Sequence, residues 1–307
     1  MVRRSVEIVE VSPRDGLQNE KKHVSTQDKV SLIERALAAG VRRLEATSFV
    51  NPKRVPQMQD AEAVMSALRR TEGTGFIGLA LNERGFERAL TAGCDEVNFI
   101  IVASETFNQR NQGVSIAETL ETWKRIAEIA HISGVSTSVT IGASFGCPFE
   151  GEVPAHRVLD LAERILRERP GELAFADTIG CGVPSQVTGL LHGARTLSPA
   201  VKLRCHFHNT RGTGLANVAA AVEAGVNALD ASIGGIGGCP FAPAATGNVA
   251  TEDIVYMLER MGVETGLDLE ALIETASWLE SVLDKPVTSA LSRAGGFPAT
   301  GIATRSP

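Results

Sequence analysis

Apolar residues along this chain follow two alternating rhythms. Short runs rich in Val, Ile, Leu and Phe read as buried strands. Eight are visible: "VEIVEV" (6–11), "RRLEATSF" (42–49), "GFIGLAL" (75–81), "EVNFIIV" (96–102), "STSVTIGA" (136–143), "ELAFAD" (172–177), "VKLRCHFH" (201–208) and "ALDASIGG" (228–235). Between them lie longer stretches with apolar positions three and four apart, the period of a helix that buries one face. "STQDKVSLIERALAAG" opens on a Ser/Thr cap and closes at Gly40. "SIAETLETWKRIAEIAHISG", "PAHRVLDLAERILRER", "PSQVTGLLHGARTL" and "TGLANVAAAVEAG" repeat the pattern, with Pro154 and Pro184 where a first helical turn tolerates proline.

Eight strand–helix units predict an α/β fold, a closed (β/α)₈ TIM barrel over about residues 5–262. An open doubly wound sheet usually carries a Gly-rich phosphate turn after its first strand. Here that strand leads into "SPRDGLQNE", with one glycine. From Asn248 the chain reads as helices: the last barrel helix, then additional C-terminal helices packed beside it over about 263–290. A Gly-, Pro- and Ala-rich tail follows at 294–307. No linker divides the chain, so residues 1–307 are expected to form a single domain.

Composition narrows the class. With 43% hydrophobic and 21% charged residues, the 307-residue chain is ordinary for a globular enzyme. A net charge of -6 argues against a nucleic-acid surface but not against a small anionic ligand. The five cysteines include no C-x-x-C pair, which predicts a reducing, cytoplasmic setting rather than a disulfide framework. Neither a signal peptide nor a run of membrane-spanning length is visible.

Barrel enzymes work at the C-terminal ends of their strands. Arg14 and Asp15 fall there after strand 1, Glu45 on strand 2, Asp177 on strand 6, and His206 and His208 on strand 7; the loop after strand 8 carries Cys239 and Asn248. His206 and His208 are two apart on a strand and so point the same way. An isolated H-x-H pair is a weak signal. At a barrel mouth, across from Asp15 and with the Asn248 amide in reach, it becomes a candidate site for Mg²⁺, Mn²⁺ or Zn²⁺. Arg14 is a permanent cation able to stabilise an enolate, or an ion-pair partner of Asp15 or Glu45. Glu45 and Asp177 fit a base, a support for the ligands, or a buried network. His23, His131, His156 and His192 are expected at the surface. The Gly-rich loop "GGIGGCPFAPAATGN" (234–248) could form a lid carrying the Cys239 thiol.

Taken together, "EVSPRDGLQNE", "LEATSFVNPKRVPQM", "GCPFEG", "DTIG", "CHFHNTRG" and "GGIGGCPFAPAATGNVATEDIVYML" resemble the 3-hydroxy-3-methylglutaryl-CoA (HMG-CoA) lyases, metal-dependent TIM-barrel enzymes, over residues 6 to about 285. The resemblance implies a divalent metal on Asp15, His206, His208 and Asn248, and a catalytic Arg14. It further implies a loop acid, Cys239, and supporting acids Glu45 and Asp177. The substrate would be an acyl-CoA thioester, cleaved to acetyl-CoA and acetoacetate, with Asp177 or His206 as base. Lys21 and Lys285 are the candidate cations for coenzyme A. A homodimer is compatible with the resemblance. The chain departs from the family at "NTR": Asn209 stands where an aspartate is usual, next to the metal, and Arg211 where a tyrosine is. In the acyl pocket Asn111 is retained, while Thr140 and Ala174 replace a tyrosine and a serine. Either Arg211 compensates or the acyl group differs, a citramalyl-CoA or a longer branched thioester being the alternatives. The related Claisen-type synthases commonly carry glutamate where Leu17 stands.

Overall fold

The computed structural model describes residues 4–238 and 247–297. Eight parallel strands close a barrel in chain order: β1 (Glu7–Glu10), β2 (Arg43–Ser48), β3 (Gly75–Ala80), β4 (Glu96–Val102), β5 (Ser136–Gly142), β6 (Glu172–Asp177), β7 (Lys202–Phe207) and β8 (Ala228–Ala231). The helices outside it are α1 (Thr26–Ala38), α2 (Ala61–Ala67), α3 (Glu83–Thr91), α4 (Glu105–Gln112), α5 (Ile116–Ser133), α6 (Ala155–Leu166), α7 (Pro184–Leu197), α8 (Gly214–Glu223) and α9 (Thr251–Arg260). Helix α10 (Leu269–Leu283) lies beside α1 and α9, and a last turn, α11 (Leu291–Ala294), follows. Among the described residues no helix is long and apolar enough to cross a membrane.

The local rules behind the helices hold. Ser25 caps α1 by accepting the Asp28 N–H, and Ser115 with Glu118 forms a capping box on α5. Helices α2 to α4, of seven, nine and eight residues, are too short for a periodic pattern to stand out, and α4, "ETFNQRNQ", has Phe107 as its one apolar residue. Most strands end within a residue or two of their apolar runs; the ends of β8 and β1 have a backbone cause. Strand β8 stops at Ala231 because Gly234 and Gly235 take positive φ in a 3₁₀ turn. Strand β1 stops at Glu10 and passes into a π-helical turn, Ser12–Gly16, which a hydropathy pattern does not announce.

Alternation divides each strand between two environments. Outward residues such as Leu44, Phe99, Phe175, Cys205 and Phe207 join the helices in the main core. Inside, Val9, Val11, Ile77 and Ala228 form a small apolar cluster. Much of the interior beside it is charged. Arg43 pairs with Glu7, Glu96 and Glu172; Arg204, fully buried, lies 2.9 Å from Glu172 and 3.3 Å from Asp230. Removing one partner from such a network strands a charge away from water, a loss of about 3–5 kcal/mol.

Beneath the turn after β8, Glu252 accepts the Gly234 N–H at 3.1 Å. Burial is the main cause that raises its carboxyl from 4.5 to about 7, with hydrogen bonds opposing it. An acid raised on folding is unpenalised below its unfolded value and loses stability as pH climbs toward its folded one. Native stability therefore falls by roughly 2 kcal/mol from this group between pH 5.5 and 8. The Glu252→Gln variant keeps an acceptor for Gly234 and removes that slope; urea unfolding at the two pH values measures it.

Candidate active site at the barrel mouth

One buried acid joins three of the chain segments around the site. Glu10 Oε1 accepts the N–H groups of Ser12 (2.8 Å) and Ile233 (3.0 Å), and its Oε2 accepts the Thr251 hydroxyl (2.6 Å). It thereby ties the π-turn bearing Arg14 and Asp15 to the β8 turn and to the start of α9. Backbone pairing brings in the remaining ligand candidate, for His208 and Asn248 form an isolated antiparallel bridge. Two glycines leave room for it. A Cβ at Gly237 (φ +110°) would lie 2.6 Å from Asn248 Nδ2, and one at Gly247 (φ +104°) would collide with the Gly235 carbonyl.

Asp15, His206 and His208 each present a ligand atom, all within 4.8 Å of one another. Burial raises the Asp15 carboxyl, but the charges of Arg14, His206 and His208 and the Asn248 hydrogen bond outweigh it and hold the group far below the usual carboxylate range. Burial and the neighbouring His206 push the His208 imidazole down to about 4, so it is neutral with a lone pair to give. Burial also opposes charge on His206, yet the Asp230 hydrogen bond and the Asp15 and Asp230 carboxylates prevail and raise it. Asn248 Nδ2 donates to Asp15 Oδ2 (2.8 Å) and to the Ile236 carbonyl (3.0 Å).

Arg14 is buried and held at both ends. Its Nε donates to Glu45 Oε2 at 2.7 Å, Nη2 pairs with the same oxygen, and Nη1 donates to Asp15 Oδ1 at 2.7 Å. The chain of contacts continues: Asn98 Nδ2 donates to Glu45 Oε1 (3.2 Å), and the Thr140 hydroxyl donates to Asn98 Oδ1 (3.0 Å). One cavity is lined by Arg14, Asp15, His206, His208, Asn111 and Thr140, together with Asn98, Ile100, Val102, Phe107, Ala176 and Asp230.

Several expected residues sit elsewhere. Asp177 shares strand parity with the outward Leu173 and Phe175. Its two oxygens accept the N–H groups of Cys181 and Gly182, each at 2.9 Å, so it shapes a loop and does not line the cavity. Ala174 is fully buried in register with Thr140, below Ala176, which lines the cavity in its place. Arg211 donates to the carbonyls of Ile179 (2.7 Å) and Gly180 (3.1 Å), joining two loops outside the cavity, and so supplies no replacement for the missing donors. Asn209 accepts the Gly214 N–H at 3.0 Å in the first turn of α8; the charge its amide lacks is missing there, not in the cavity. Lys285 is paired with Glu20 at 2.8 Å, and Lys21 is exposed after β1. Cys239 lies outside the described residues. Leu17 is fully buried in the apolar core. His23, His131, His156 and His192 are exposed, as expected.

Asp230, Arg204 and Asn98 went unread. Their signal was parity: Arg204 shares its strand face with His206, and Asp230 pairs with His206 in register on β8.

The HMGL-like family model matches residues 5–279. The chain belongs to this family. It is an oxo-acid lyase of the HMG-CoA lyase type, a member of a group whose named relatives differ in substrate. It is 41% identical over 286 residues to the hydroxymethylglutaryl-CoA lyase YngG of Bacillus subtilis, covering 93% of this chain and 96% of that one. It is 42% identical over 301 residues to the (R)-citramalyl-CoA lyase of Chloroflexus aurantiacus, covering 95% of each. The solved HMG-CoA lyase of Acinetobacter baumannii, in complex with coenzyme A and 3-methylmalate, superposes with a TM-score of 0.94 at 38% identity, over 100% of this chain and 99% of that one.

Proposed function

We propose that this family member cleaves HMG-CoA to acetyl-CoA and acetoacetate by a retro-Claisen reaction. The observation that carries the reading is the convergence of Arg14, Asp15, His206, His208 and Asn248 on one buried mouth. The donors fit a divalent metal. Among the described residues, His208 Nδ1 and Asn248 Oδ1 are buried with no hydrogen-bond partner, a costly state unless they ligate. Two nitrogens, a carboxylate and an amide oxygen suit Mg²⁺ or Mn²⁺, with Zn²⁺ also compatible. Such an ion, when bound, lowers the pKa of a hydroxyl on the substrate.

The protein groups do the rest. Asp15 and Asn248 hold each other through one hydrogen bond, and Glu45 holds Arg14. Arg14 then presents its remaining donors where negative charge develops, on the thioester oxygen of the departing enolate. Of the two candidate bases, His206 faces the cavity and Asp177 does not. Cys239 is the proton donor to the enolate carbon in this reading. Coenzyme A would lie at the rim near Lys21.

A second reading is cleavage of (R)-citramalyl-CoA to acetyl-CoA and pyruvate. The acyl pocket favours it: Ala176 offers no donor, the Thr140 proton is committed to Asn98, and β4 and α4 contribute the apolar Ile100, Val102 and Phe107. A pocket short of donors discriminates weakly for a distal carboxylate. Assays of both thioesters with Mn²⁺ and a thiol reductant decide. Acetoacetate release at the higher kcat/KM supports the first reading; preferential pyruvate release selects the second. Acetyl-CoA from neither overturns both.

A further inference from the structure

A histidine offers a lone pair from one ring nitrogen only while the proton sits on the other. In His206, Nδ1 lies 3.1 Å from Asp230 Oδ2, and Nε2 faces Asp15 Oδ2 at 3.9 Å. A carboxylate at Nδ1 holds the proton there and turns the Nε2 lone pair toward the cavity. Both residues are buried, and the β7–β8 register sets them side by side.

Asp230 is itself restrained. Arg204 Nη1 stands 3.3 Å from its Oδ1, and Arg204 is in turn fixed by Glu172 at 2.9 Å and by the Ser138 hydroxyl at 3.3 Å. Glu172 also receives Arg43, which grips Glu96 with two donors. A column of buried ion pairs thus runs from the foot of the barrel to the site. Neutralising Arg204 does not account for Asp230, because Glu172 is the closer partner. The Asp230 oxygen that Arg204 does not face is the one aimed at the imidazole.

We propose that Asp230, ion-paired with Arg204, is a positioning residue that fixes the Nδ1–H tautomer of His206 and so presents Nε2 to the cavity. The consequence for metal affinity rests on the reading of His206 as a ligand; the tautomer itself does not.

The test uses the full-length, ¹⁵N-labelled, metal-free protein, titrated until the His206 ring is neutral, with the ring signals assigned by their loss in His206→Gln. The wild type shows Nδ1–H. Asp230→Ala moves the ring to Nε2–H and weakens Mn²⁺ binding about 10–100-fold, and Asp230→Glu restores part of both. A ring that stays Nδ1–H in Asp230→Ala overturns the proposal. So does Mn²⁺ affinity that fails to move in a variant whose ring has switched. Should Asp230→Ala not fold, the wild-type spectrum decides alone, Nε2–H being the refuting result. A wild type that binds no Mn²⁺ refutes the ligand reading while the tautomer still judges Asp230.

Discussion

Arg14→Lys lowers kcat by about 10²–10³-fold, the usual loss when one donor to a developing oxyanion is removed, and leaves KM nearly unchanged. The guanidinium uses Nε and Nη2 on Glu45 and Nη1 on Asp15, which fixes its plane. A lysine ammonium has one nitrogen. It can neutralise Glu45 or reach Asp15, but it cannot span both and still face the cavity. The charge survives and the direction is lost. Charge developing on the enolate oxygen is a transition-state feature, so the loss belongs in kcat rather than in substrate binding. Arg14→Met adds a second effect, since it abandons a buried Glu45; urea unfolding should report a loss of about 3–5 kcal/mol. Steady-state kinetics checks the first claim, and a kcat within about threefold of wild type would falsify the oxyanion role.

How much of this site the sequence disclosed follows from what strand geometry fixes. A strand of known direction assigns every second residue to one face, so the convergence of His206 and His208 on one side was legible before any coordinates. The same count, carried two residues back, reaches Arg204, and on β8 it reaches Asp230. Carried forward from Phe175 it sends Asp177 outward. Parity alone carries all three placements, whereas position at a strand end does not distinguish the inward face from the outward one. The interior ion pairs of Arg43, Glu96 and Glu172 were hidden for another reason: charged residues opening apolar runs look like strand edges, and only barrel closure makes them neighbours. The roles of Asn209 and Arg211 were not legible. Asn209 accepts the first N–H of α8 and Arg211 reaches two carbonyls because irregular backbone leaves unpaired groups nearby, and periodicity does not locate such groups. Lys285 was named as a cation, but its partner Glu20 lies far away in the chain and periodicity does not link the two.

The second large effect falls on metal affinity. Asp15→Asn raises the Mn²⁺ dissociation constant by at least about 100-fold, on the order of a lost charged ligand of several kcal/mol. Asparagine keeps the size and one acceptor but brings an amide nitrogen against Asn248 Nδ2, which now donates to Asp15 at 2.8 Å. Two donors cannot face each other, so Asn248 must turn and carry Oδ1 out of its present place. One substitution therefore disturbs two of the four ligand candidates, and added Mn²⁺ recovers little turnover. Stability changes in a direction that can be worked out. The folded-state pKa of Asp15 is depressed below its ordinary 3.8, so its charge stabilises the protein above that value and the contribution is lost as pH falls through the folded pKa. Asp15→Asn should then lose stability at pH 7 relative to wild type and lose less by pH 3, giving a flatter acid limb. Electron paramagnetic resonance of free Mn²⁺ reads the affinity, and denaturant unfolding across the acid range reads the slope. Undiminished Mn²⁺ affinity would remove Asp15 from the ligand set. An acid limb as steep as the wild type's would show that its charge is held by solvent rather than by Arg14 and the two histidines.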